Sequence, residues 1–258
     1  MDPATILGIL LAFGALFAML TMEGAHVEAI LLLPPMILVF GATISIGLAG
    51  GTFKDFIQAW KSLGPAFKGR ITPPQDTIDR VVALAEKARS EGLLALESEA
   101  IDTDDEFLRN ALQNIADGTD GDELRELLED EIHTVKTAGH KNARFFTNLG
   151  GYAPTIGIIG TVVSLTHVLE NLSTPETLGP MIATAFVATL WGLLSANFLW
   201  LPFGARIARI NELEIERLTL VMEGVLAVQD GAQPRLLGER LRSMVPDHQL
   251  PKQEKKAA

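Results

Sequence analysis

Two apolar stretches of this chain carry small and hydroxyl-bearing residues three or four positions apart, the spacing of one helix face. They are Pro154, Gly157, Thr161 and Ser164 in one stretch, and Ala185, Thr189, Gly192 and Ala196 in the other. A threonine hydroxyl can replace part of the hydration shell of an ion or orient a water molecule, whereas small residues let helices approach closely. The pattern therefore allows an ion pathway or ordinary helix packing, and the sequence alone leaves both open.

Asp, Glu, Lys and Arg are missing from these stretches, and His167 lies near the outer end of the first of them. Four windows lack Asp, Glu, Lys and Arg altogether: 3–22, 29–53, 145–169 and 177–205. Proton and ion pathways through membranes ordinarily use intramembrane ionisable groups. If this chain conducts an ion, a partner must therefore contribute the carboxylate.

The elements that hold these residues are predicted to be membrane helices. Each window has about the twenty residues needed to cross ~30 Å of hydrocarbon as a helix. A spanning segment must satisfy its own backbone hydrogen bonds, which favours helices over isolated strands. We predict an all-α polytopic membrane protein with four transmembrane helices in two hairpins and a helical cytoplasmic domain.

Basic residues predict the orientation. Lys54, Lys61 and Lys68 follow the second window, Lys141 precedes the third and Arg206 follows the fourth, whereas the connections 23–28 and 170–176 carry acids and no Lys or Arg. The positive-inside rule then predicts that both termini lie in the cytoplasm. The predicted parts are a first hairpin at 1–51, a cytoplasmic helical domain at 52–144, a second hairpin lining the ion pathway at 145–204, and a cytoplasmic carboxy-terminal helix and tail at 205–258.

Helical spacing also predicts the core of the soluble segment. Its apolar residues are Ile78, Val81, Val82 and Ala85 in one run, and Leu124, Leu127, Leu128, Ile132 and Val135 in another. Asp104 is the predicted start signal of an intervening helix. Pro34-Pro35 is expected inside the second span, where it would bend the helix for a gate or a curved bundle.

Composition excludes several classes of protein. There are no cysteines and only five histidines, so a thiolate site is impossible and a metal enzyme is disfavoured. The net charge of −11 and the lack of Lys/Arg clusters argue against nucleic-acid binding. Neither a phosphate-binding loop nor a nucleophile elbow is present, so we predict no catalytic residue, no metal site, no cofactor and no enzyme activity.

Four segments resemble one known family, the flagellar stator proteins MotA and PomA. The opening MDPATILGILLAFGALFAML, the third span YAPTIGIIGTVVSL, the fourth span MIATAFVATLWGLLSANFLWLPFGARI and the ending EGVLAVQDGAQPRLLGERLRSMVP carry the resemblance. It covers almost the whole chain and includes the two-hairpin layout.

The resemblance implies a homopentamer in membrane lipid around two single-span, peptidoglycan-binding MotB-like subunits, whose Asp supplies the missing carboxylate. H⁺ or Na⁺ is then the translocated ion, and torque acts on the rotor protein FliG. The resemblance implies that Thr161 and Thr189 are pore-facing hydroxyls and that Pro154 and Pro202 couple ion passage to movement. Gly157 and Ala185, from the small-residue faces, complete the predicted ion pathway. Ala188 stands where sodium-driven members often carry a hydroxyl, which favours protons.

The same resemblance implies rotor-binding residues. Arg89 and Glu97, within EKARSEGLLALE, match the cytoplasmic charges that engage FliG. Glu131 matches a third rotor-facing or channel-mouth acid. Without the resemblance, all three are equally consistent with a solvated charged surface.

Two alternative functions remain open at this point. The ExbB/TolQ family also surrounds a partner that carries an Asp, and it resembles the last two spans, but its members have three spans. A non-conducting membrane scaffold would use the small-residue faces for packing alone.

Overall fold

The computed structural model describes residues 4–68 and 72–251, and every regular element in these ranges is helical. We number the helices α1 to α9 along the chain. They are α1 Ala4–Met22, α2 Leu33–Ala49, α3 Phe53–Lys68, α4 Pro74–Glu91, α5 Leu96–Asp102, α6 Glu106–Ala116, α7 Gly121–Glu170, α8 Pro175–Gln229 and α9 Pro234–Ser243. Short 3₁₀ turns stand at Val27–Ala29, Leu93–Ala95 and Asp247–Gln249.

Three helices, α1, α7 and α8, are long and apolar enough to cross a membrane by length and composition. The remaining apolar helix, α2, is shorter, because Pro34 and Pro35 lie in its first turn and Gly50 follows its end. The prediction that these prolines lie inside a span and bend it is wrong. A proline is well tolerated in a first helical turn, where its missing N–H has no intrahelical acceptor to lose.

Two π-helical turns accompany prolines in the apolar helices. One, Ile37–Gly41, follows Pro34 and Pro35 in α2, and the other, Ala196–Trp200, ends two residues before Pro202 in α8. In α8 the N–H of Leu201 donates to the carbonyl of Ala196, an i→i+5 bond. Pro202 has no N–H to donate to the preceding turn. The π-helical turn Ala196–Trp200 changes the hydrogen-bond spacing of α8 from i→i+4 to i→i+5 next to this proline.

The helices form two compact units. Unit 1 comprises Met1–Arg70 and Gly139–Ile210, and unit 2 comprises Ile71–Ala138 and Asn211–Ala258. The chain therefore enters each unit twice. The four predicted sequence segments are divisions along the chain, and their boundaries stay predictions.

Unit 1 has an aromatic core. Trp60, Phe146, Trp200 and Phe203 meet edge to face, with ring centroids 5.5 to 6.3 Å apart. Arg206 is buried, and its Nε donates to the carbonyl of Ala66 at 3.0 Å, which satisfies a carbonyl in the last turn of α3.

Unit 2 has an aliphatic core. Its buried members include five of the predicted residues: Ile78, Val81, Ala85, Leu124 and Leu128. Val82, Ile132 and Val135 are partly buried and pack against them. Leu127 is 50% exposed, so its predicted core position is wrong. Leu127 lies about 100° around α7 from Leu128, which turns its side chain away from the buried stripe.

Candidate functional site

The hydroxyl groups of Thr161 on α7 and Thr189 on α8 are hydrogen-bonded to each other. Thr161 Oγ1 also lies 3.0 Å from the carbonyl oxygen of Ala185 and 3.1 Å from that of Gly157. A hydroxyl has one proton to donate. The arrangement that satisfies most groups has Thr189 donate to Thr161, which in turn donates to one of the two carbonyls.

Glycines bring the two helix backbones together around this pair. A Cβ atom on Gly157 would lie 2.9 Å from the carbonyl oxygen of Ala188 and 3.1 Å from the Cα of Gly192. A Cβ atom on Gly192 would lie 2.8 Å from the carbonyl oxygen of Ala153. Real Cβ contacts are almost never this short, so close approach requires glycine at both positions. These residues therefore pack the helices, and the hydroxyl pair lies inside that packed seam.

The structure brings together five of the six predicted ion-pathway residues. Pro154, Gly157 and Thr161 on α7 face Ala185 and Thr189 on α8, and Ala185 is fully buried. Both threonines are half-buried.

Pro202 lies elsewhere in unit 1. It lines a groove of about 480 Å³ with residues of α1, such as Thr5 and Gly8, and with Arg206 and Arg209 of α8. The groove wall is mainly apolar. Pro202 is therefore not part of the hydroxyl pair's surroundings.

The predicted rotor-binding charges occupy a corner of unit 2. Arg89 is in the last turn of α4 and Glu97 in the first turn of α5, and both side chains are exposed. Gly92 makes the turn between them with φ of +88°, a conformation that favours glycine. Among the residues that the structure describes, neither charge has an ion-pair partner.

Glu131 is placed differently from the other two. It lies on α7 ahead of the charge-free window, and its side chain is half-buried. Burial raises its pKa above the ordinary value, and the nearby carboxylates of Glu106 and Asp105 raise it further. The carboxylates of Asp105, Glu106 and Glu131 therefore repel one another. Glu97, in contrast, is exposed to solvent.

Sequence reasoning missed the ion pairs that fasten α5 to α4. Glu99 accepts from Lys87 Nζ at 2.8 Å and from Arg80 at 3.0 Å. The hydrogen bond from Lys87 lowers the pKa of Glu99, and the charges of Lys87 and Arg80 act in the same direction. Arg80 and Lys87 are seven residues apart and so lie on one face of α4. This spacing was the sequence signal for a shared acidic partner.

A second missed network surrounds Arg217. Its guanidinium pairs with Asp105 and with Glu214, the latter at 2.7 Å. The Asp105 carboxylate also accepts from the N–H of Leu108 at 3.3 Å and so caps α6. The predicted start signal at Asp104 is wrong by one residue, because the cap is the residue whose side chain reaches the free N–H groups.

In the described residues, no group of three or more His, Asp or Glu side chains is arranged to hold a metal ion. The arrangement that remains is a hydrogen-bonded pair of hydroxyls in a tight helix seam, and the four charge-free windows contain no Asp, Glu, Lys or Arg. Such a seam can offer oxygen atoms to a passing ion, but it cannot carry a proton on its own charge.

Two family models match the chain. The model of the motility protein A amino-terminal region matches residues 6–92, and that of the MotA/TolQ/ExbB proton channel family matches residues 99–219. The first match covers the predicted first hairpin and the corner with Arg89.

Known proteins are similar to the chain over nearly its whole length. Motility protein A of Bacillus subtilis is 32% identical, with 95% of this chain and 92% of that protein covered. Chemotaxis protein PomA of Vibrio alginolyticus is 31% identical, with 94% of this chain and 95% of that protein covered.

Two solved structures have a similar fold. A chain of C. jejuni MotAB is 27% identical with a TM-score of 0.92, covering 98% of this chain and all of that chain. A chain of the flagellar MotAB stator complex from Bacillus subtilis is 31% identical with a TM-score of 0.89, covering 96% and 97%.

Proposed function

We propose a mechanism from the premise that this chain belongs to the motility protein A family and is an ion-channel subunit of a flagellar stator. The resemblance noted from the sequence is thereby confirmed. The observation that carries the function is the similarity to two MotAB structures over at least 96% of the chain. The match of residues 6–92 to the motility protein model favours a stator over an ExbB/TolQ-like channel.

The proposed assembly is a homopentamer in the inner membrane around two single-span, peptidoglycan-binding MotB-like subunits. We propose four spans per chain, with α2 as the shortest, so that both termini would lie on the same side, and the basic flanks favour the cytoplasm for that side. The four charge-free windows support a partner that supplies the intramembrane carboxylate. The chain itself performs no covalent chemistry in this mechanism.

The ion is proposed to pass beside the α7–α8 seam while it neutralises the partner's Asp. Thr161 and Thr189 would offer hydroxyl oxygens to the ion or to an accompanying water. Gly157 and Ala185 would keep the seam tight, and Pro154 and Pro202 would couple passage to movement of the ring. One elementary charge that falls through 100 mV releases about 2.3 kcal/mol, which is the energy source for each step.

Protons are the proposed ion. Ala188 is buried and offers no hydroxyl next to Thr189. A Cβ on Gly160 would lie only 2.9 Å from the Cβ of Ala188, so the site also has little room for a larger side chain. An Na⁺ ion needs several oxygen ligands to replace its hydration shell, whereas a proton needs only one acceptor at a time.

Torque is proposed to reach FliG through Arg89 and Glu97, since both are exposed and unpaired within the described residues. Exposed ion pairs are individually weak, at about 0–1 kcal/mol, so contact must involve several groups. Glu131 is the third proposed contact. Its half-buried position beside Asp105 and Glu106 makes a channel-mouth role more compatible with the geometry than a docking role.

Proton uptake by the co-expressed complex tests this function. The full chain and its MotB-like partner, reconstituted together in vesicles, should acidify the vesicle interior when a membrane potential is imposed. The matched control replaces the partner's Asp with Asn and should abolish uptake without loss of assembly. A scaffold would show no uptake in either sample, and uptake that required sodium would refute the choice of protons.

A further inference from the structure

Exposed apolar side chains are concentrated where α4 turns into α5. In the described part of unit 2, the large apolar residues that are exposed are Leu93, Leu94, Ile101, Leu127, Leu236 and Met244. The first three lie within residues 93–101, and Leu94 and Ile101 are 74% and 76% exposed. We call Leu93, Leu94 and Ile101 the corner patch. Unit 2 lies outside the charge-free windows, so lipid contact does not account for this patch.

The two most exposed members share a helix face with Glu97. Leu94, Glu97 and Ile101 follow one another at i, i+3 and i+7 through the 3₁₀ turn and α5, a spacing that puts them within one stripe. Leu96 and Ala100, at the intervening positions, are buried in the unit 2 core. The segment of the 3₁₀ turn and α5 therefore has two apolar faces, of which only one is covered by residues that the structure describes.

Ion pairs hold this helix in place. Glu99 is bonded to Lys87 and Arg80 of α4, so α5 cannot readily roll to bury Leu94 and Ile101. Only some of the charges in this segment are paired. Glu99 is bonded to two bases, whereas Glu97, on the stripe with Leu94 and Ile101, and Arg89, in the last turn of α4, have no ion-pair partner in the described residues. Exposed apolar groups next to such charges are typical of a protein interaction surface.

We propose that Leu94 and Ile101 are the apolar centre of the rotor-docking surface and that Arg89 and Glu97 form its charged rim. The inference rests on the proposed function and extends it, because it assigns most of the free energy of rotor binding to the contacts of Leu94 and Ile101. The occupant is a rotor surface with an apolar strip, an acid that faces Arg89 and a base that faces Glu97. The rim charges set register and orientation, since exposed pairs contribute little affinity, while burial of two branched side chains supplies most of it.

The affinity of the full stator complex for purified FliG tests this proposal. The variant Leu94→Ser with Ile101→Ser keeps both rim charges and removes both apolar groups. We expect its affinity to fall by roughly tenfold or more, as loss of central apolar contacts ordinarily does. The matched control is Leu236→Ser, which removes an exposed leucine of α9 elsewhere in unit 2 and should change affinity less than about twofold.

Three readouts separate the outcomes. Loss of FliG affinity and torque, with ring mass and proton uptake retained, supports the proposal. Unchanged affinity in the serine double variant, together with reduced affinity in Arg89→Glu with Glu97→Lys, overturns it and leaves the proposed function intact. Loss of the ring in the serine variant also overturns it, because the corner patch would then contact a second copy of the chain. Failure of the proposed function is distinguishable, since it would appear as absent proton uptake in the unchanged complex.

Discussion

The replacement Thr189→Val tests whether the hydroxyl pair conducts or only packs. Valine nearly matches threonine in shape but lacks the oxygen. The hydroxyl of Thr189 is bonded to Thr161, and Thr161 keeps two carbonyl acceptors, Gly157 at 3.1 Å and Ala185 at 3.0 Å. No buried polar group is left without a partner, so the loss is one ordinary hydrogen bond, about 0.5–1.5 kcal/mol.

That cost is small compared with the energy that assembles a helix seam, so the Thr189→Val complex should form. If the hydroxyl lies on the ion route, proton uptake should fall by about tenfold or more, because a hydrogen bond to a charged group contributes about 1.5–3 kcal/mol and about 1.4 kcal/mol corresponds to a tenfold change in rate. The assay is proton uptake by the reconstituted complex in vesicles, together with swimming speed and the melting temperature of the purified complex.

Two matched variants make the test specific. Thr189→Ser keeps the hydroxyl and should retain uptake. Thr184→Val removes a hydroxyl of the same helix that bonds only to the carbonyl of Pro180, at 2.9 Å, and should also conduct. Normal uptake in Thr189→Val would refute the conducting role. An equal loss in Thr189→Ser would refute it as well, because the methyl group rather than the oxygen would then be responsible.

Three further predictions concern packing, pH and topology. Gly157→Ala should lower the melting temperature and stator assembly at a cost of about 1–3 kcal/mol, because the new methyl group meets a backbone carbonyl of α8 at 2.9 Å, whereas Gly151→Ala has open space and should be nearly neutral. Glu131→Gln should stabilise the purified complex at pH 7. Because the pKa of Glu131 is raised in the folded state, the unchanged protein loses stability as the pH rises from the ordinary pKa of 4.5 through the raised value. The difference in melting temperature between pH 5 and pH 7 should therefore be smaller in the variant. Cysteine at Thr174 should react with an impermeant reagent from outside intact cells, and cysteine at the exposed position Ser98 should react only after lysis; labelling of position 98 in intact cells would overturn the proposed orientation.

Local features of the sequence were sufficient for the helical architecture and for the choice of family. Charge-free windows of about twenty residues indicate membrane helices, and the 3.6-residue period identifies which side chains share a helix face. The pairing of Thr161 with Thr189 was foreseeable in this way, since each lies on a small-residue face of a neighbouring span. The need for an external carboxylate follows from composition alone.

Tertiary structure decided which faces meet and which stay uncovered. Leu127 follows the same helical period as its buried neighbours yet is exposed, and Leu94 and Ile101 fit a helix face that no residue of the described ranges covers. The partners of Glu99, and Asp105 as one partner of Arg217, come from other helices, so no local pattern contains these pairs. Periodicity fixes the angle of a side chain around its own helix axis, but burial depends on the position of every neighbouring helix, and those contacts join residues far apart along the chain.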